Sequence, residues 1–314
     1  MDKNSKIYVT GHSGLVGVAL LNQLKADGYT NIITASHSDV DLLDAAQVNK
    51  YFADNKPEYV FHLAAKVGGI LGNKTYPADF MYENLAINTN VLHAAHENKV
   101  IKLLNFGSIC IYPVAAPIPV KEEYLLTGPL EYSNEGYAMV KIASLMLAKK
   151  YKEQYQDNFI SVMPANIYGI NDNFHPINSH VAPALIRKFV AAVDSGAEEV
   201  VLWGTGKPTR DFIFSEDLAE GLVFIMNNYD GLEHLNIGPG YETSIKELAE
   251  LIAEITGFKG KLVHDTTKPD GTPRRYLDVQ KLETLGWKSK VSLREGLTKT
   301  IAWYQENKNN VREK

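Results

Sequence analysis

The 314-residue chain contains one cysteine, Cys110, so no intrachain disulfide can form, and that thiol is either a small buried apolar residue or a chemical reagent. No stretch approaches the roughly 18 uninterrupted apolar residues of a membrane span. The N-terminal MDKNSKIYVTGHSG passes from a polar leader into a strand without an apolar signal core, so a cytoplasmic protein is expected. Basic runs and aromatic-basic stripes are also missing. With a net charge of −5, nucleic acid and anionic membrane are not expected as partners. The sequence holds no Cys-x-x-Cys, His-Glu-x-x-His or comparable ligand cluster, no Gly-x-Ser-x-Gly elbow and no Walker loop, so metal, serine-hydrolase and P-loop chemistry are not expected.

What is present is an alternation of short apolar runs and helical periods. KIYVT precedes a helix from Leu15, NIITAS one near Ala45, YVFHLAA one near Tyr82, and KLLNFGS one from Glu135, with FISVMPA as a fifth strand. Continuous apolar runs, rather than polar alternation, predict parallel strands covered by helices on both faces. The expected class is α/β, a Rossmann-type doubly wound sheet with a smaller C-terminal α/β substrate-binding lobe. The expected division gives residues 1–165 to an NADP-binding domain with a returning segment at about 200–240, and 166–199 with 241–314 to the lobe.

VTGHSGLVG places Gly11, Gly14 and Gly17 between the first strand and its helix. Glycine suits a tight turn with positive φ and a backbone that must approach a pyrophosphate at a helix N-terminus. At the end of the second strand, where a carboxylate would bond the ribose 2′-hydroxyl of NAD, the chain has Ser36, His37 and Ser38, which favours NADP(H). No arginine is present there; His12, His37 and the hydroxyls are the available donors, and Asp41 could sit by the adenine.

YAMVK sets Tyr137 and Lys141 at i and i+4 on one helical face. An adjacent ammonium is expected to lower the phenol's pKa and make it a usable general acid toward a carbonyl oxygen, with Ser108 at the end of the fourth strand holding that oxygen.

The glycine triplet, Ser108 and Tyr-x-x-x-Lys resemble the extended short-chain dehydrogenase/reductases. More narrowly, KVGGI, GSICIYP, NEGYAMVKIA, SVMPANIYG, DNFHPINSHVAPALIRKF, LWGTGKPTRDF and KPDGTPRRYLDV resemble the GDP-L-fucose synthase family, and these blocks run through nearly the whole chain. The resemblance implies an NADPH-dependent 3,5-epimerase/4-reductase acting on a GDP-4-keto-6-deoxy sugar, with Cys110 and His180 as the acid–base pair of epimerisation. A thiol and an imidazole both titrate near enough to neutrality for that traffic. His180 could instead cap the helix that follows it.

The resemblance further implies cofactor contacts from Gly11, His12, Ser13, Gly14, Leu15, Val16, Gly17, Ser36, His37, Ser38, Asp41, Leu63, Ala64, Ala65, Phe106, Gly107, Ser108, Ile109, Tyr137, Lys141, Pro164, Ala165, Asn166, Ile167 and His180. Substrate contacts are implied for Lys188, Trp203, Arg210 and Asp270, and a homodimer packed through the helices near 82–98 and 137–155. Ile109 and Gly136 stand where the family commonly has serine and proline. They leave room for a related substrate, such as a heptose, with reduction alone or with part of the epimerisation retained.

Overall fold

The computed structural model describes residues 1–68, 75–176 and 178–311. Six strands form one parallel sheet: β1 (Ile7–Thr10), β2 (Ile32–Ile33), β3 (Tyr59–His62), β4 (Lys102–Phe106), β5 (Phe159–Pro164) and β10 (Leu235–Ile237), in the order β10-β5-β4-β3-β1-β2. Successive side chains leave a strand on opposite faces. Ile7, Val9, Phe61, Leu104 and Ile160 therefore pack with α1 (Leu15–Ala26) and α6 (Ser215–Asn228) on one side. Tyr8, Val60, Leu103 and Phe159 pack with α2 (Ala45–Asn55), α3 (Pro77–Glu97) and α4 (Glu135–Tyr155) on the other. Burial on both faces is the reason these strands read as unbroken apolar runs. Each fully covered Phe or Leu adds about 1.5–3 kcal/mol of transfer free energy.

A second core joins α5 (Val181–Ser195), α7 (Ile245–Thr256) and α9 (Leu293–Asn307) to the pair β7 (Glu199–Trp203) and β12 (Lys261–Asp265). Between the two cores run β6 (Asn166–Tyr168) paired with β9 (Phe212–Phe214), and a small sheet of β11 (Thr243–Ser244), β8 (Thr209–Arg210) and β13 (Arg274–Arg275) in the order β11-β8-β13. The short α8 (Gln280–Thr284) follows β13.

The expected returning segment of about 200–240 differs from what is seen. Residues 215–237 return to the large sheet as α6 and β10, whereas β7 pairs with β12 in the second core. A strand's partner is decided by long-range packing, which its local pattern does not encode. Among the described residues no helix is long and apolar enough to cross a membrane.

Candidate active site

The sheet reverses direction at β1, which has β2 on one side and β3 on the other. Ligands of such sheets bind beyond the strand ends at this reversal. Gly11 lies there at φ +68°, and a Cβ on it would stand 2.9 Å from the Ala64 nitrogen. Gly17 is tighter: its Cβ would fall 2.3 Å from the Gly11 carbonyl oxygen. Helix α1 opens on Gly14 with no side chain capping it, so its first-turn N–H groups are free to face an anion. This cradle fits the diphosphate of a dinucleotide. Thr10 fixes its far wall, because its hydroxyl accepts from the Leu63 and Ala64 amides at 3.1 Å and shares a hydrogen bond with His62 Nδ1 at 2.9 Å. Burial lowers the His62 pKa to about 3, so this imidazole stays neutral.

Beyond β2, residues 36–39 form an exposed loop that leads into the buried Val40. The Asp39 carboxylate accepts from both the amide and the hydroxyl of Ser36, at 2.7 and 2.6 Å, and Ser36 also bonds Ser38. Those bonds, chiefly from the hydroxyl, hold Asp39 below the usual carboxylate range. His37 lies 3.9 Å from Asp41. A carboxylate that the motif reading passed over thus sits among the expected Ser36, His37 and Ser38.

The second part of the site grows from the end of β4. Ser108 caps the 3₁₀ turn Ile109–Ile111, its hydroxyl accepting from the Cys110 amide at 3.3 Å. Cys110 is buried. That burial raises its pKa above 9.0, against opposing contributions from the Ser108 hydroxyl, Lys141 and Arg275. Helix α4 brings Tyr137 and Lys141 to the same place. Lys141 is 2 % exposed and donates to the Phe106 carbonyl at 2.7 Å, with its ammonium 5.7 Å from the Tyr137 ring centre.

The expectation that Lys141 depresses the phenol's pKa is not met. Burial, and then the nearby Cys110, hold the Tyr137 phenol above 10.0, and burial takes Lys141 down to about 8. The ammonium is turned to a backbone carbonyl, and loss of solvent outweighs its attraction for a phenolate. Tyr137 is therefore a neutral phenol with a proton to give.

His180 stands at the N-cap of α5, but its side chain makes no capping bond, which removes the helix-cap alternative. His180 is exposed, yet the protein around its ring desolvates it enough to lower its pKa below 6.5. The next residue, Val181, lines a cavity of about 230 Å³ with Asn166, Trp203, Gly206, Pro208, Arg210, Ile245, Pro269, Asp270 and Gly271.

Here three expected substrate contacts gather. Trp203 is 71 % exposed, with Lys268 over its ring. Arg210 donates to the carbonyls of Thr209 and Thr272. Asp270 accepts from the amide and hydroxyl of Thr205, so its carboxylate braces the loop after β7. Lys188 is not among the lining residues; its ammonium donates to the Val201 carbonyl at 2.7 Å. Pro164 and Ala165 are buried, and Ala165 is bonded to Ile237 of β10, while Asn166 donates to Asp211 at 3.1 Å and Ile167 continues β6. The KVGGI block and the 166–179 loop fall partly outside the described residues, at 69–74 and 177.

Two residues that sequence reasoning missed brace these groups from behind the lining. Asp211, 1 % exposed, accepts from the Leu277 amide at 2.9 Å, and burial raises its pKa to about 6. Arg275 donates to the carbonyls of Ile109 and Tyr112. A doubled arginine in TPRRYLDV was the available signal for the second.

A doubly wound sheet with a glycine cradle, and a serine, a tyrosine and a lysine gathered about the end of β4, defines an oxidoreductase or epimerase that works through a nicotinamide cofactor. Residues 7–238 match the model of the NAD dependent epimerase/dehydratase family, and the chain belongs to that family. It is 54% identical over 307 residues to a putative GDP-L-fucose synthase 2 from Arabidopsis thaliana, covering 98% of this chain and 94% of the relative. A GDP-L-fucose synthetase from Naegleria fowleri bound to NADP superposes with a TM-score of 0.92 at 31% identity, covering 100% of this chain and 98% of that one. MlghC, a GDP-mannoheptose C4 reductase from Campylobacter jejuni with NADP bound, gives 0.90 at 38% identity, over 97% and 99% of the two chains.

Proposed function

We propose that this chain is an NADPH-dependent 3,5-epimerase/4-reductase of the GDP-L-fucose synthase type, converting GDP-4-keto-6-deoxy-D-mannose to GDP-L-fucose. The observation that carries the reading is the convergence of Ser108, Cys110, Tyr137 and Lys141 at the end of β4, where Cys110 is within electrostatic reach of both Tyr137 and Lys141. Bound cofactor supplies hydride to the carbonyl carbon. The chain's own groups do the proton work. A 4-ketone makes the hydrogens on C3 and C5 acidic, and the Ser108 and Tyr137 hydroxyls stabilise the enolate oxygen by hydrogen bonding. Burial of the Cys110 thiol and desolvation of the His180 imidazole favour their uncharged forms, so the pair holds one proton to give and one lone pair to receive. Tyr137 protonates the C4 oxygen as it becomes an alkoxide, and the buried Lys141 ammonium stands beside the phenolate that results.

Arg210 and Trp203, on the cavity beyond Val181, suit the diphosphate and the flat base of a GDP-sugar. The reading places the enzyme in the cytoplasm as a homodimer packed through α3 and α4, whose exposed Tyr82 and Met139 support such a contact. The test is incubation with GDP-4-keto-6-deoxymannose and NADPH in deuterated water. The expected product is GDP-L-fucose carrying deuterium at C3 and C5. Cys110→Ser should stop that uptake while NADPH still binds, and undiminished uptake would remove Cys110 from the mechanism.

A second reading, reduction at C4 of a GDP-4-keto-6-deoxy-heptose, is favoured by the likeness to the Campylobacter reductase. Comparing turnover of the hexose and heptose substrates separates the two.

A further inference from the structure

The residues of β13 alternate in what they meet, as strand neighbours do. Arg274 turns out to pair with Glu242, and Arg275 turns in. The Arg275 guanidinium donates to the carbonyl oxygen of Tyr112 at 2.7 Å and to that of Ile109 at 3.2 Å, residues that flank Cys110 on the 3₁₀ turn. In register beside it on β8 is Arg210, which lines the cavity and holds the Thr272 carbonyl. Two residues on, the Leu277 amide is clamped by the buried Asp211. Arg275 therefore stands in register with a residue of the cavity wall and also holds the thiol-bearing turn.

We propose that Arg275 is the positioning residue for Cys110: it locks the turn through two carbonyls and keeps a fixed positive charge beside the sulfur. The inference rests on the reading above only in giving Cys110 a proton-transfer role. A buried thiol surrounded by apolar atoms resists ionisation, and a guanidinium nearby opposes that resistance. The groups facing the sulfur are Ser108 from its own turn, Tyr137 and Lys141 from α4, and Arg275 from β13, while Arg275 itself faces Glu131, Asp211 and the Arg210 guanidinium of β8. Of those at the sulfur, Lys141 and Arg275 are the cations, and Lys141 is already turned toward the Phe106 carbonyl.

The test uses the single cysteine of the chain, because every alkylation event reports on Cys110. The rate of reaction with iodoacetamide is followed by mass spectrometry across pH for the parent, Arg275→Gln and Arg275→Lys, with an NADPH titration to show that each variant keeps its cradle. Gln keeps a donor for a carbonyl and loses the charge; its alkylation midpoint should rise by about one pH unit, so that labelling below the midpoint is about tenfold slower. Lys keeps the charge and should leave the midpoint near that of the parent. A purely structural role would move Lys and Gln alike. Should Arg275→Gln fail to bind NADPH, Arg275→Met takes its place with the same expected shift. An unshifted midpoint in the neutral variant, or an equal shift in both variants, overturns the proposal. That failure would leave the epimerase/reductase reading standing, whereas deuterium uptake unaffected by Cys110→Ser would sink the reading and leave the thiol's ionisation profile still measurable.

Discussion

Replacing Gly17 by alanine is the sharpest probe of the cofactor cradle. The added Cβ would lie 2.3 Å from the Gly11 oxygen and 2.6 and 2.7 Å from two backbone atoms of His12, where ordinary contact begins at 3.4 Å. All three are main-chain atoms, so no side chain can rotate away and the loop itself must move by about 1 Å. Overpacking of this kind costs about 1–3 kcal/mol of stability. A displacement of about 1 Å in a pre-organised site can cost roughly a hundredfold in function. Gly17→Ala should therefore weaken NADPH binding by about two orders of magnitude in a fluorescence titration, well beyond what its loss of stability would suggest. Gly28→Ala is the control. Gly28 also has a positive φ, +83°, but nothing lies within 4 Å of its Cβ position. It should cost about 1–2 kcal/mol in thermal denaturation through backbone strain and leave NADPH affinity unchanged. If Gly17→Ala binds NADPH as tightly as the parent, the glycine loop is not a diphosphate site.

Two further outcomes follow from the charges of the site. Desolvation lowers the His180 pKa below its usual range and burial raises that of Cys110, while burial brings Lys141, the cation near Cys110 and Tyr137, down to about 8. Solvent-deuterium exchange into the keto-sugar should therefore be flat from about pH 6.5 to about 7.5, falling in acid as the imidazole gains its proton and changing above about 8 as Lys141 loses its charge; a titration midpoint between about 6.5 and 7.5 would contradict the assignment. Asp39 places a carboxylate among the groups expected at the ribose 2′ end. Asp39→Asn should raise the NADPH-over-NADH affinity ratio by roughly two- to fivefold at low salt, an exposed-charge effect, and an unchanged ratio would put the 2′-phosphate elsewhere.

The apolar runs of KIYVT, YVFHLAA, KLLNFGS and FISVMPA, each followed by a helical period, already carried the doubly wound sheet, because burial on both faces leaves a mark on every residue of a strand. The cradle and the Tyr137–Lys141 pair were legible for a similar reason: their spacing is short, and a turn or a helix converts spacing directly into geometry. What could not be read was anything set by burial or by distant partners. Lys141 was expected to acidify its tyrosine, yet the tertiary environment removes solvent from both and turns the ammonium to the Phe106 carbonyl, which reverses the sign. No motif marked Asp39 until its bonds to Ser36 placed it, and the segment from about 200 was expected to return to the first domain, whereas β7 pairs with β12.

The sequence by itself determined that this chain is a dinucleotide-binding α/β protein with an acid near its carbonyl site, since local periodicity and a few glycines suffice for that. Only the tertiary structure decided which cation faces Cys110 and which carboxylate clamps β13. Arg275 and Asp211 reach their partners across 163 and 66 residues of chain, and desolvation, the largest influence on their charges, does not exist until the fold has closed around them.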